Sequence, residues 1–186
     1  MINISNSNGD PYVLNVQEWV NDTYRGKTGY TEIPENGKTG WTTIYALLHA
    51  LQIELGITAT ANNFGPSTIS KFNEQYPNGV AQQDSNDETK KNIYGIIQGA
   101  LLCKGYSIGA NKPTCNFYGG TGSAVKKLKE DAGVDATSST VTLNIMKALM
   151  STTTRRKQRG LIRYLHNLSI PYTSSFVYAV KYFLFP

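Results

Sequence analysis

Leu47-Leu48-His49-Ala50-Leu51-Gln52-Ile53-Glu54-Leu55-Gly56-Ile57 and Ala124-Val125-Lys126-Lys127-Leu128-Lys129-Glu130-Asp131-Ala132-Gly133-Val134 decide the fold. Each stretch carries apolar residues at helical spacing and stops at a glycine followed by a β-branched residue. Leu47-Leu48, Leu51 and Gly56-Ile57 correspond to Ala124-Val125, Leu128 and Gly133-Val134 at identical internal spacing. An internal repeat fixes the architecture before any single motif does. Working outward, Val16-Gln17 matches Ile97-Gln98 upstream, and Thr68 and Phe72 match Thr142 and Met146 downstream.

Each copy reads as helix, glycine-rich loop, helix capped by glycine, short turn, helix. In the first copy Asp10 is a side-chain N-cap and Pro11 occupies the first helical position. Val13, Val16, Trp19, Val20 and Tyr24 then recur at three- and four-residue steps on one face, ending before Gly26. The loop Gly29–Gly40 contains Asn36-Gly37, a pair suited to a positive-φ turn. A second helix opens at Trp41-Thr42-Thr43, and a third runs from Pro66-Ser67-Thr68 to about Tyr76. In the second copy the helices are expected over Thr89–Lys104, Gly122–Ala132 and Val141–Met150. The fold class is therefore all-α, with two tandem three-helix units. The expected divisions are a leader over 1–10, a first unit over 11–78, a polar linker over 79–87, a second unit over 88–150 and a tail over 151–186.

The net charge of +5 and pI near 9.1 belong to the tail. Six of the 18 Lys and Arg residues lie beyond Met150, beginning with Arg155-Arg156-Lys157, and none of the 13 Asp and Glu residues does. The first 150 residues are thus close to neutral and lack the basic excess that phosphate recognition requires. The polar start, Met1-Ile-Asn-Ile-Ser-Asn-Ser-Asn-Gly-Asp10, has neither the basic nor the apolar part of a secretory signal. Cys103 and Cys115 do not make a disulfide framework and read as reduced thiols, with pairing left open. His49 and His166 have no ligand spacing to either cysteine, so neither metal nor cofactor is expected.

The motifs resemble a known family. Val16-Gln17 with Trp19-Val20-Asn21, the loop Asn36-Gly37, Gly40 and Thr43, and the helix end Leu51-Gln52…Leu55-Gly56-Ile57 are similar to the peptidoglycan-binding-like domain. Asn63-Phe64-Gly65-Pro66-Ser67-Thr68 resembles that family's closing Gly-x-x-Thr helix start. The second copy resembles it through Gln98, Thr121, Ala124-Val125, Leu128 and Gly133-Val134. The likeness covers about residues 11–150 and extends to tandem modules of this kind fused to glycoside-hydrolase-like domains in Gram-positive bacteria and their phages. Asn36 replaces the family's loop Asp, Lys129 replaces its helix Gln, and Asn116-Phe117-Tyr118-Gly119-Gly120 stands where the family shows Asp-Gly.

The resemblance implies non-catalytic binding of cell-wall peptidoglycan, through its glycan or its stem peptide, holding a lytic enzyme on its substrate. It places the chain at the cell wall, with release by a phage-type route in the absence of a visible signal. The candidate ligand-binding residues are Tyr30, Asn36, Trp41 and Asn63 in the first copy and Phe117 and Tyr118 in the second. Aromatic faces suit the apolar faces of sugar rings, and asparagine suits their amides. Core packing is the competing account for Trp41, Phe64 and Phe117, and Trp19 reads as core.

No catalytic residue is assigned. Glu32 with Glu35, Asp87 with Glu88 and Glu130 with Asp131 sit on loops or polar faces, not opposed across a bond as glycoside hydrolysis needs. His49 has no serine placed beside it. Gly26-Lys27-Thr28 and Gly37-Lys38-Thr39 lack the upstream glycine and strand of a phosphate loop. Two other readings stand beside the binding one: a lytic fragment of an endolysin, and a nucleic-acid or partner-binding protein led by the basic tail. The aromatic-apolar run Phe176–Phe185 after basic residues raises membrane contact as a further expectation, interrupted by Lys181. The composition change after Met150 suggests a truncated or frame-shifted ending. Oligomeric state is open.

Overall fold

The computed structural model describes residues 9–82 and 90–151, and these are helical apart from loops and one isolated bridge. The elements are α1 (Pro11–Tyr24), α2 (Trp41–Glu54), α3 (Pro66–Gln75), α4 (Lys91–Cys103), α5 (Gly119–Asp131) and α6 (Leu143–Leu149). The all-α expectation is met, and the elements fall into two runs of three. Most of the leader, residues 83–87 of the expected linker, residues 88–89 of the expected second unit and residues 152–186 of the tail lie outside the described residues. The expectations for the tail, membrane contact and a truncated ending among them, therefore lie outside the described residues. Among the described residues no helix is long and apolar enough to cross a membrane.

Local chemistry explains the helix ends. The Asp10 carboxylate accepts from the N–H groups of Tyr12 (2.8 Å) and Val13 (3.4 Å), with Pro11 pre-set in the first turn. Gly56, Gly105 and Gly133 follow α2, α4 and α5 with φ of 78°, 82° and 67°, the left-handed conformation that glycine reaches cheaply after a helix. Boundaries moved where the cap was not in the nearest polar residue. α5 begins at Gly119, with Tyr118 as its N-cap, three residues before the expected Gly122. α6 begins at Leu143 because Val141 is held in an antiparallel bridge to Val80, whose N–H and C=O bond those of Val141 at 2.9 and 2.8 Å.

The two runs share one continuous core. Eleven successive residues of α4, Ile93 through Cys103, are buried, the signature of a helix covered on all sides. It lies against α1 and α2 of the first run and α5 and α6 of the second. Gly95 and Gly99 allow the approach of α1: a Cβ on Gly95 would stand 2.3 Å from Trp19 Cζ2, and one on Gly99 3.1 Å from Val16 Cγ1. Polar bonds also cross between the runs. Glu54 Oε1 of α2 accepts from Tyr24 Oη of α1 and from Asn92 Nδ2 of α4, both at 2.9 Å. Asn15 Nδ2 donates to the Asn111 carbonyl at 2.9 Å. Val80, at the start of the stretch read as a polar linker, is buried within the same core.

At the end of α4 lies a buried lysine. Lys104 donates through Nζ to the carbonyl and, at 3.3 Å, the hydroxyl of Ser151. Burial lowers its pKa to about 7, against a smaller opposing effect of Cys103. Its folded-state pKa lies below its unfolded value, so between pH 7 and the ordinary lysine range the unfolded chain binds the extra proton. Stability from this group therefore rises with pH across that window, by up to about 1.4 kcal/mol per unit. Cys103 opposes it above the ordinary thiol range, because burial pushes that thiol up to about 12 and only the unfolded chain ionises there. Comparing urea unfolding of the natural chain and Lys104→Met from pH 6.5 to 8.5 isolates the lysine: the variant is expected to lose the rise. Parallel pH curves for the two proteins would contradict it.

Candidate ligand-binding site

A buried glutamine organises the loop of each half. Gln17 Oε1 accepts from the N–H groups of Asn36 (2.9 Å) and Gly37 (2.8 Å), and its Nε2 donates to Thr43 Oγ1 (2.9 Å) and the Lys38 carbonyl (3.2 Å). Gln98 repeats the arrangement: Oε1 accepts from Thr114 N (2.8 Å) and Cys115 N (2.9 Å), and Nε2 donates to Thr121 Oγ1 (2.9 Å) and the Asn116 carbonyl (2.8 Å). An amide is the one neutral side chain that accepts and donates from a single planar end. It therefore satisfies both kinds of loop backbone group in a buried setting where leaving them unmade is costly. The repeated Val16-Gln17 and Ile97-Gln98 are thus loop clamps.

The clamps correct the alignment of the second copy. The counterpart of Asn36-Gly37 is Thr114-Cys115, not a pair within Asn116–Gly120. Gly37 has φ 65° and Cys115 has φ 60°, the only positive φ among non-glycine residues described. The second loop thus keeps a left-handed turn without the residue type that advertises one.

In the first half the clamp sets the loop beside the start of α2. Asn36 is exposed, and its Oδ1 accepts from Lys38 N at 2.9 Å. Trp41, 54% exposed, stacks on Tyr45 one turn along, with centroids 5.1 Å apart and planes 25° from parallel. His49 continues the same i, i+4 row on α2, half-buried, with Nε2 making no hydrogen bond among the described residues. The result is an exposed indole at the start of α2, one face of it covered by Tyr45. An exposed indole can cover the apolar side of a pyranose.

The other candidate residues are dispersed. Tyr30 is half-buried: its ring packs 5.7 Å from Tyr24, and its hydroxyl donates to Asn21 Oδ1 at 2.8 Å. Burial, then the Glu32 and Glu35 carboxylates, push that phenol above its ordinary range. Asn63 is exposed, and its carbonyl is held by Gln52 Nε2 at 3.0 Å. Gln52 lies eleven residues beyond Trp41, about 16 Å along α2, so Asn63 belongs to the opposite end of the helix. Phe117 is 1% exposed and meets Tyr94 edge-on at 5.7 Å. It fills the core, because α4 and α5 close over the loop, and its neighbour Tyr118, 45% exposed, takes the outward position. Asn36 lies in the clamped loop and Trp41 just after it, Tyr45 stacks on Trp41, and Asn63 and the second-copy pair stand apart. The row is visible in the sequence as Trp41, Tyr45 and His49 at four-residue spacing.

Among the described residues no group of three His, Cys, Asp or Glu side chains could hold a metal ion. No disulfide joins Cys103 and Cys115, both buried. Glu32 engages Arg25 at 3.1 Å at the surface, and Lys127 bridges Glu130 and Asp131 along α5. These carboxylates are thereby committed to neighbouring cations.

Residues 6–85 match the model of the FadG/YbfG, PGDB-like domain. The chain is similar to the uncharacterized protein FadG of Bacillus subtilis (strain 168), 48% identical over 142 residues, covering 76% of this chain and 23% of that protein. It is similar also to the uncharacterized protein YbfG of the same strain, 46% identical over 141 residues, covering 76% of this chain and 18% of that protein. The chain thus spans about a quarter or less of the length of these relatives. The likeness is longer than either half and so enters both. No solved structure matches the chain. The matched domain model supports the peptidoglycan-binding-like domain family that the sequence resembles.

Proposed function

With a peptidoglycan-binding-like first half as premise, we propose that this chain is a non-catalytic wall-binding module that holds a larger, lytic protein on Gram-positive peptidoglycan. The observation that carries the proposal is the exposed Trp41–Tyr45 stack beside the clamped Asn36 loop. The indole stands half in water with one face on Tyr45, which leaves the rest of its surface free to meet a sugar ring. The PGDB-like match over residues 6–85 supports the same ligand class. The glycan, rather than the stem peptide, is the part this face suits.

The test is retention of the whole chain on purified Gram-positive sacculi, with chitin and cellulose as controls. The two halves share a core, so the chain is tested intact. Trp41→Ala is expected to weaken retention about tenfold or more, the scale of losing one or two kcal/mol of aromatic contact, while unfolding at an unchanged temperature. Retention of the variant equal to that of the natural chain would remove Trp41 from the site. Failure of the natural chain to be retained would remove the wall as ligand.

A further inference from the structure

The second half departs from the first at one position, and the departure opens a cleft. In the first half Gln52 closes the turn between α2 and α3: Oε1 accepts from Ala61 N at 2.8 Å, and Nε2 donates to the carbonyls of Ala61 and Asn63 and to Thr68 Oγ1 at 3.0–3.2 Å. The equivalent residue, four before the glycine that follows the helix, is Lys129. Thr142 stands eight residues before the C-cap Met150, as Thr68 stands eight before the C-cap Tyr76. α6 is three residues shorter than α3, and Thr140–Thr142 runs extended beside Val80 instead of forming a first turn.

Where Gln52 makes a closed clasp, Lys129 makes one hydrogen bond, from Nζ to the Ser138 carbonyl at 2.8 Å. Its side chain is 6% exposed. Around it is a cleft of about 340 Å³ lined by Lys129, Val134, Asp135, Ser138, Thr140, Thr142, Asn144 and Ile145. An ammonium carries three donors, so two remain for a ligand. The Thr142 hydroxyl and the Asn144 amide make no side-chain hydrogen bond among the described residues. Val134 and Ile145 supply an apolar wall. Asp135, whose carboxylate is held by Thr137 N (2.9 Å) and Thr137 Oγ1 (3.0 Å), adds one acceptor of negative charge at the rim. Burial lowers the Lys129 pKa, Asp135 opposes that, and the neighbouring Lys126 adds a smaller lowering. Asp135 is thus the acidic neighbour of Lys129, although no ion pair within 4 Å joins the two among the described residues.

We propose that the Lys129 cleft is a second binding site, for the terminal carboxylate of a short alanyl peptide. The carboxylate meets the Lys129 ammonium and the Thr142 hydroxyl, a methyl group lies on Val134 and Ile145, and a peptide N–H is left to donate to Asp135. This inference rests on the wall-binding reading, because a free-ended stem peptide offers that combination. It assigns the two halves different ligand chemistry, sugar ring in the first and peptide end in the second.

The test is an NMR titration of the whole ¹⁵N-labelled chain with acetyl-D-alanyl-D-alanine, its C-terminal amide, and inorganic phosphate. The free acid is expected to shift the amide resonances of residues 134–145, with the amide and the Lys129→Gln variant about tenfold weaker or worse, as for a lost charge-assisted hydrogen bond. Glutamine already occupies this place in the first half, so the variant retains a side chain the fold accepts. Should its melting temperature nevertheless fall, Thr142→Val serves as the second variant. No shift with the acid, equal shifts with acid and amide, or binding undiminished in the variants would each overturn the inference. Phosphate reproducing the same shifts would overturn the alanyl assignment in favour of a general anion site. Retention on sacculi without dipeptide binding would sink this inference alone. Dipeptide binding without retention would leave the cleft standing and remove the wall-binding role.

Discussion

Gln98→Leu is expected to lower stability by about 3 kcal/mol, with a fall in melting temperature on the order of 10 °C. The shape is nearly conserved, so the loss is not one of volume. Leucine leaves the N–H groups of Thr114 and Cys115 without an acceptor and the Asn116 carbonyl and Thr121 hydroxyl without a donor, in a partly to fully buried setting. Unmade buried polar groups of this kind cost about 1–3 kcal/mol each, and some relax toward solvent because Thr114 is exposed. Gln17→Leu should behave alike through Asn36, Gly37 and Thr43. It should also weaken sacculus binding, because the same clamp sets the loop beside Trp41. Urea unfolding reads the first effect. A loss below about 1 kcal/mol would mean that the loops hold their shape without the clamps.

Gly95→Ala is the second large effect, and its sign runs against helix propensity. In an exposed helix the change gains roughly 1 kcal/mol. Here the new methyl would meet Trp19 Cζ2 at 2.3 Å, Trp19 Cη2 at 2.7 Å and Cys115 Sγ at 2.9 Å. The indole is rigid and wedged between α1 and α4, so relief requires the helices to part. Overpacking of this kind costs about 1–3 kcal/mol, and the net expectation is destabilisation by about 2 kcal/mol with loss of sharp near-ultraviolet signal from Trp19. Trp19→Phe in the same chain makes room and should restore part of the loss. An alanine variant as stable as the natural chain would show that α1 and α4 part at little cost.

Much of this architecture could be read from residue order. The cap pair Asp10-Pro11, the helix-ending glycines and the apolar steps along each helix are local signals, and local signals persist in the fold. What escaped was decided by contact between distant residues. Cys115 occupies the left-handed turn that Gly37 announces in the other copy, and nothing about cysteine advertises it. Only the two N–H groups pointing at Gln98 reveal the correspondence. Phe117 was an aromatic residue on a loop and so a candidate for ligand contact, but the loop folds inward and Tyr94 takes it. Trp41, in contrast, stays exposed, because α2 begins at the surface where the clamped loop ends. Lys129 was noticed only as a departure from glutamine. That its charge stands over a cleft follows from the missing first turn of α6, and that turn is lost to the Val80–Val141 bridge.

The shared helix α4 gives the duplication a geometric meaning. Repeats joined by a loose tether behave as beads, and each finds its ligand at whatever distance the tether allows. Repeats welded through a common helix behave as a caliper, with jaws set at one span. A caliper engages both jaws only on a polymer whose own repeat is commensurate with that span, and on any other it grips with one jaw. The close approach permitted by Gly95 and Gly99 therefore fixes the span between the loops that Gln17 and Gln98 hold.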